Sequence, residues 1–294
     1  MRKQVLFILS LFLAINLHAE NKFVIEGSVA NVPDGLIVEL LRNEDNVGML
    51  VASDTLRNGK FRFEEETSGN GTDWMFLTAR TENYYSMILY LWVRPGSSIR
   101  ISADNLLVYT WNVESDVPEQ QTRSKILASS RDLWNEYQIL DGDYDSLRSR
   151  IKSGKYSGEE KKRQKARLDS MKQAKSMLQD RISAVELEAM AKLDVDQAWM
   201  LNYVNTAYMV NISKNKDNME KAKALYAYIP DVWRDSYSGR EAKNVLFPQH
   251  VVEVGEEAAD ADLYDIDGKL WHLSDFRGRY VLIDFWSRGC GPCK

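Results

Sequence analysis

The chain has 294 residues, 44% of them hydrophobic and 28% charged, with a formal net charge of −5. That length allows two or three domains and that hydrophobic content builds cores of useful size, so a disordered tail is excluded. Lysines and arginines are interspersed with acids, which leaves no basic field for a phosphate backbone, and nucleic acid is not an expected partner.

The N-terminus reads Met1-Arg2-Lys3-Gln4, then runs apolar from Val5 to Leu17 apart from Ser10 and Asn16, and reaches Ala19 before Glu20. A basic start, a short apolar core and a small residue describe a secretory signal peptide over residues 1–19. The apolar run is shorter than the about 20 residues a membrane span needs, so no stable span is expected after cleavage, with an uncleaved anchor as the alternative. No cysteine stands near the cleavage site, which excludes a lipid-modified cysteine anchor. The mature protein is expected in the periplasm or another extracytoplasmic space of the cell envelope.

Residues 20–115 alternate in short, turn-punctuated runs such as Phe23-Val24-Ile25-Glu26-Gly27 and Lys60-Phe61-Arg62-Phe63, separated by Pro33-Asp34-Gly35, Asn58-Gly59, Gly69-Asn70-Gly71 and Pro95-Gly96. The pattern predicts an antiparallel β-sandwich of about seven strands. Its aromatic residues are read as core or cross-strand pairs in preference to a ligand face.

Residues 116–247 change to a helical period. Leu133, Tyr137, Leu140, Tyr144, Leu147 and Ile151 form one stripe, and Leu168, Met171, Ala174, Leu178, Ile182, Val185 and Ala189 form a second, with Glu186 and Lys172 among the residues placed off it. A helical hairpin is expected from Pro118 onward, then shorter helices around 199–210 and 219–228. The charged stretch Glu159–Arg167 is read as a solvated helix face, and Asp143, Asp145, Asp194 and Asp196 as solvated helix ends.

Residues 248–294 have a third texture. Asp262 to Lys269 reads as strand and turn, Leu270-Trp271-His272-Leu273 as the return strand, and Ser274 to Gly278 as a capped helical turn. Tyr280-Val281-Leu282-Ile283-Asp284-Phe285-Trp286 is a nearly continuous apolar run of the kind that suits a strand buried on both faces. The predicted fold class is therefore a multidomain α+β chain: a sandwich, a helical segment and the start of an α/β domain.

The two cysteines stand together in Cys290-Gly291-Pro292-Cys293, a spacing that serves chemistry rather than stapling. A C-x-x-C loop opening a helix holds its first sulfur near unpaired N–H groups and the positive dipole end, which favours thiolate and makes Cys290 the predicted nucleophile. Cys293 is then near enough to attack the mixed disulfide and release the substrate. Pro292 suits the first helical turn because its missing N–H has no partner there. Asp284 stands in an apolar strand, where desolvation raises a carboxyl pKa and lets it exchange a proton with a buried thiol; a wet strand end is the alternative.

Three rival readings stand beside this one. C-x-x-C is also half of many zinc knuckles, with only His18, His250 and His272 to complete one. Peroxiredoxin chemistry wants a threonine and a proline ahead of the cysteine, and Ser287 is a poor stand-in. The non-enzymatic alternative makes the β and helical region a binding or docking module carrying an inactive remnant.

Val254-Gly255-Glu256, Asp267-Gly268-Lys269, Leu273-Ser274-Asp275-Phe276-Arg277-Gly278, Val281 to Trp286 and Cys290 to Lys294 together resemble the start of TlpA/ResA-type thioredoxin-like proteins of the thioredoxin superfamily. The order of signal peptide, β-rich domain, helical segment and C-terminal domain is similar to an envelope architecture of that family. The resemblance implies a thiol-disulfide oxidoreductase with no metal or organic cofactor. It implies disulfide-containing exported proteins and an upstream thiol electron donor as partners, with reduction the favoured direction. By the same resemblance Cys290 attacks, Cys293 resolves, Asp284 is the buried acid of the Asp-Phe-Trp strand, and Trp286, Gly291 and Pro292 support the loop. One departure is Gly289, which stands where the family has tryptophan. Another is that the sequence stops at Lys294, before the following helix, strands and cis-proline loop, so this chain by itself is expected to have little or no activity. Insulin reduction by the chain, abolished by Cys290→Ser, is the result that runs against that expectation.

Overall fold

The computed structural model describes residues 21–44, 47–82, 84–248 and 252–286. The signal peptide expected over residues 1–19 lies outside the described residues. The chain divides into two compact units, residues 1–246 and 247–294, and the architecture is α+β.

Among the described residues of the first unit nine strands build two sheets. They are β1 Lys22–Val29, β2 Ile37–Glu44, β3 Val47–Thr55, β4 Lys60–Glu66, β5 Asp73–Thr81, β6 Tyr84–Tyr85, β7 Leu89–Val93, β8 Ser98–Ala103 and β9 Asn112–Glu114. One sheet runs β4-β1-β8-β9; the other runs β3-β2-β5, with β6 and β7 both pairing β5. Alternation decides which side of each strand is inward: Phe23, Ile25 and Val29 of β1 and Phe61 and Phe63 of β4 are buried, while Glu26 and Arg62 between them face water. Phe23, Ile25, Leu40, Leu77 and Ile99 meet in the core between the sheets.

At the Asn58-Gly59 turn both residues have positive φ, 51° and 69°, and Arg57 and Lys60 bridge across it. A Cβ on Gly59 would lie 2.6 Å from the Val29 carbonyl oxygen, so glycine is required there on two counts.

The sandwich departs from an all-antiparallel reading in one pair. β1 and β8 run parallel, with Val24 opposite Ser98 and Val29 opposite Ala103. Alternation reports which face of a strand is buried and carries no information on the direction of its partner, so this crossover is invisible in the local pattern.

Six helices follow among the described residues: α1 Pro118–Lys152, α2 Gly158–Met190, α3 Gln197–Ser213, α4 Lys216–Tyr226, α5 Asp231–Arg234 and α6 Tyr237–Leu246. Pro118 occupies the first turn of α1, where its fixed φ is already helical. The α1–α2 hairpin is antiparallel: Ser130 bonds Glu186, Tyr137 bonds Gln179 and Asp141 bonds Lys175, partners running in opposite directions along the two helices. Asp196 stands at a helix end as expected, capping α3 by accepting from the Trp199 N–H at 2.8 Å, but it is half-buried and not solvated, whereas Asp143 and Asp145 stand solvated inside α1 and not at its end.

The stripe on α2 holds through Leu178 and Ile182, but Glu186, placed off it by periodicity, is 5% exposed. Its Oε1 accepts from Ser130 Oγ and Trp134 Nε1, both at 2.7 Å, and these bonds make its burial affordable.

The helices also cover the outer face of the second sheet. Trp92, Val117 and Ala198 pack with Trp74, Tyr90 and Leu201. Arg94, just beyond β7, holds both carboxylate oxygens of Glu119 at 2.8 and 2.9 Å in the first turn of α1. Among the described residues no helix is long and apolar enough to cross a membrane.

Candidate functional site

The second unit contains β10 Leu263–Tyr264 and β11 Leu270–Trp271, a small antiparallel hairpin at the predicted position. Asp265 organises its turn. Its Oδ1 accepts from the backbone N–H groups of Asp267 at 3.0 Å and Lys269 at 2.9 Å, and its Oδ2 accepts from Trp271 Nε1 at 2.9 Å. The Trp271 bond, followed by those backbone donors, holds the Asp265 carboxyl below the usual aspartate range. Gly268 supplies the positive φ of 77° that the turn needs. Lys269 Nζ stands 3.8 Å from the Trp271 ring centroid, and the Phe276 ring stacks with it at 5.9 Å.

A 3-10 turn at Leu273–Phe276 stands where a capped helical turn was predicted. Asp275 reaches back to the His272 N–H at 2.9 Å, while Asp260 accepts from the Leu273 N–H at 2.8 Å and from Ser274 Oγ at 2.5 Å. The Ser274 hydroxyl is the main reason the Asp260 carboxyl titrates low. The roles of Asp260 and Asp265 as organisers of this turn go beyond the strand-and-turn pattern, although the Asp-x-Asp-Gly run at 265–268 is a local signal of an Asx-type turn.

From Tyr280 to Trp286 the chain belongs to no β-ladder among the described residues, and its side chains stand exposed, with Leu282 at 97% and Trp286 at 64%. A strand buried on both faces needs paired strands on both edges and cover on both faces, and among the described residues no strand pairs with this stretch. Asp284 is exposed within this stretch, so the desolvated setting expected for it is not met here. Trp286 lies two residues beyond it. Cys290, Gly291, Pro292 and Cys293 lie outside the described residues. No group of three potential metal ligands occurs among the described residues.

No protein-family profile matches the chain, and no solved structure matches it. Several curated proteins match a part of it. A thiol-disulfide oxidoreductase ResA of Bacillus thuringiensis subsp. konkukian is 40% identical over 43 residues, which is 15% of this chain and 25% of that protein. The ResA protein of Geobacillus thermodenitrificans is 37% identical over 51 residues, 17% of this chain and 29% of its own length. That of Bacillus anthracis is 35% identical over 43 residues, covering 15% and 25%. The chain thus spans between a quarter and a third of the curated relatives it matches, and the likeness supports a thioredoxin-like relationship for that part.

Proposed function

We propose that residues 248–294 are the opening part of a thioredoxin-like thiol-disulfide oxidoreductase domain acting outside the cytoplasm. The observation that carries the reading is the Cys290-Gly291-Pro292-Cys293 motif at the end of a segment whose length is comparable to the stretch shared with oxidoreductases of the ResA type. In the proposed reaction the Cys290 thiolate attacks one sulfur of a substrate disulfide, forming a mixed disulfide and releasing one substrate thiolate, which takes up a proton. The Cys293 thiolate then attacks the Cys290 sulfur, closing the Cys290–Cys293 disulfide and releasing the second substrate thiol. Two electrons pass to the substrate, and an upstream dithiol donor returns them to the cysteine pair.

Asp284 is assigned the proton of Cys293 in the second step, and Trp286, Gly291 and Pro292 the shaping of the loop. Substrates are disulfides of exported proteins, consistent with the signal-like N-terminus.

The test is trapping by single-cysteine variants. With a model disulfide, Cys293→Ser is expected to accumulate a stable adduct through Cys290, and Cys290→Ser to accumulate almost none. Equal adduct formation by both variants, or by neither, removes the proposed division of labour.

A further inference from the structure

A cavity of about 270 Å³ lies in the first unit where the sheet carrying Tyr90 meets α1, α2 and α3. Its size is near the lower end of small-molecule sites, roughly 300 Å³. Its wall contains both Arg123, 2% exposed, and Glu186, 5% exposed. Burying either charge is costly unless a partner compensates it. The two charges act on each other electrostatically across the cavity, but no direct ion pair joins either of them to a partner among the described residues, and their hydrogen-bond partners are neutral groups. Arg123 Nη1 donates to Asn202 Oδ1 at 2.8 Å, and the guanidinium carbon stands 5.1 Å from the Tyr109 ring centroid and 5.7 Å from that of Tyr90. Tyr109 interacts with the guanidinium, but neither Nε nor Nη2 has a partner of hydrogen-bond geometry. Glu186 is held by Ser130 and Trp134 as described above.

The cavity therefore presents a positive and a negative group in one wall that also carries aromatic rings, those of Tyr109 and Trp134 standing 4.4 Å apart between centroids. An anion alone would match Arg123 and be repelled by Glu186; a cation alone would do the reverse. A dipolar ligand satisfies both, and flat ring faces suit an apolar side chain. Asn205, exposed, and Gln179, half-buried, stand among its lining residues and give it an opening to solvent.

We propose that this cavity binds a small zwitterion of the α-amino-acid type with an apolar or aromatic side chain, its carboxylate directed to the Arg123 side and its ammonium to Glu186. The site is independent of the cysteine chemistry and requires none of it.

The experiment is calorimetric titration of the full chain with L-phenylalanine, phenylacetate and phenethylamine, with Trp134 fluorescence as a second readout. L-phenylalanine is expected to bind at least tenfold tighter than either half-ligand. Glu186→Gln is expected to erase its advantage over phenylacetate. Arg123 is so enclosed that Arg123→Met endangers folding, so the opening is blocked separately: Asn205→Trp, on an exposed helical position, is expected to weaken binding at least tenfold with an unchanged thermal melt. Absence of saturable L-phenylalanine binding, equal affinity for a half-ligand, or undiminished binding by a folded Asn205→Trp variant each overturns the proposal.

Discussion

The backbone N–H of Trp92 in β7 donates to Oε1 of Gln120 in α1 at 3.0 Å, so a helix side chain takes the place of a neighbouring strand. β7 pairs β5 along one edge, and its other edge would present buried donors without acceptors. Gln120 is itself 1% exposed and is held by a further bond from its Nε2 to Ser124 Oγ at 3.3 Å. Gln120→Leu keeps the approximate volume and removes the acceptor, leaving the Trp92 N–H unpaired. The expected loss is about 1–3 kcal/mol in urea unfolding, the penalty of one buried unsatisfied group. A loss within error of zero would mean that the helix closes the edge by packing alone.

Gly27 in β1 lies directly opposite Phe61 in β4, and the Phe61 ring fills the space a Cβ at Gly27 would occupy. That ring also packs on Phe63 and Trp111 at centroid distances of 5.7 and 6.1 Å, so it has little freedom to retreat. Gly27→Ala is expected to cost about 1–3 kcal/mol by overpacking. Thermal melts of the variant and of the double variant Gly27→Ala/Phe61→Leu check the cause: the double variant should recover part of the loss.

Burial raises the Asp196 carboxyl above the ordinary aspartate range. Glu119 adds to the effect, and bonds from Thr122 and from the Trp199 and Ala198 backbone only partly offset it. A folded state with the higher pKa binds the proton more tightly than the unfolded state. This contribution is therefore present at low pH and lost as pH rises from about 3.9 through the folded value. Asn is as good an N-cap as Asp and does not titrate, so Asp196→Asn should gain stability relative to the parent as pH rises through that window. Asp196→Ala should lose about 1 kcal/mol at pH 7 instead. Urea melts of the three proteins across this pH range provide the test, and parallel profiles for parent and Asn variant would refute the titration.

If Asp284 takes the proton of Cys293, Asp284→Asn should slow closure of the Cys290–Cys293 disulfide on the order of 10²-fold and move the reaction toward higher pH. Formation of the mixed disulfide at Cys290 should be spared. Stopped-flow kinetics that separate the two steps decide it: an unchanged pH profile for the second step takes Asp284 out of the mechanism.

Features legible in the sequence are those written in neighbouring residues. The Asn58-Gly59 turn, the start of α1 at Pro118, the α1–α2 hairpin and the hairpin around Gly268 follow from local backbone preferences and from periods of two and 3.6 residues. The Cys290 and Cys293 motif is equally local, and so is its chemical suggestion. The supporting environment is not local. A desolvated Asp284 and a covered strand over residues 280–286 depend on neighbouring strands, and no described residue supplies them.

By itself the sequence determined the succession of β, helical and C-terminal hairpin textures, because each texture is a short-range pattern of side chains along one backbone. Only the tertiary structure decided that β1 and β8 run parallel, that Gln120 completes the edge of β7 and that Glu186 is buried. It also brought Arg123 and Glu186 to one cavity from positions 63 residues apart. Strand direction and the burial of a charge depend on which distant surfaces meet. That is settled by global packing and by the need to satisfy every buried polar group, neither of which any window of neighbouring residues contains.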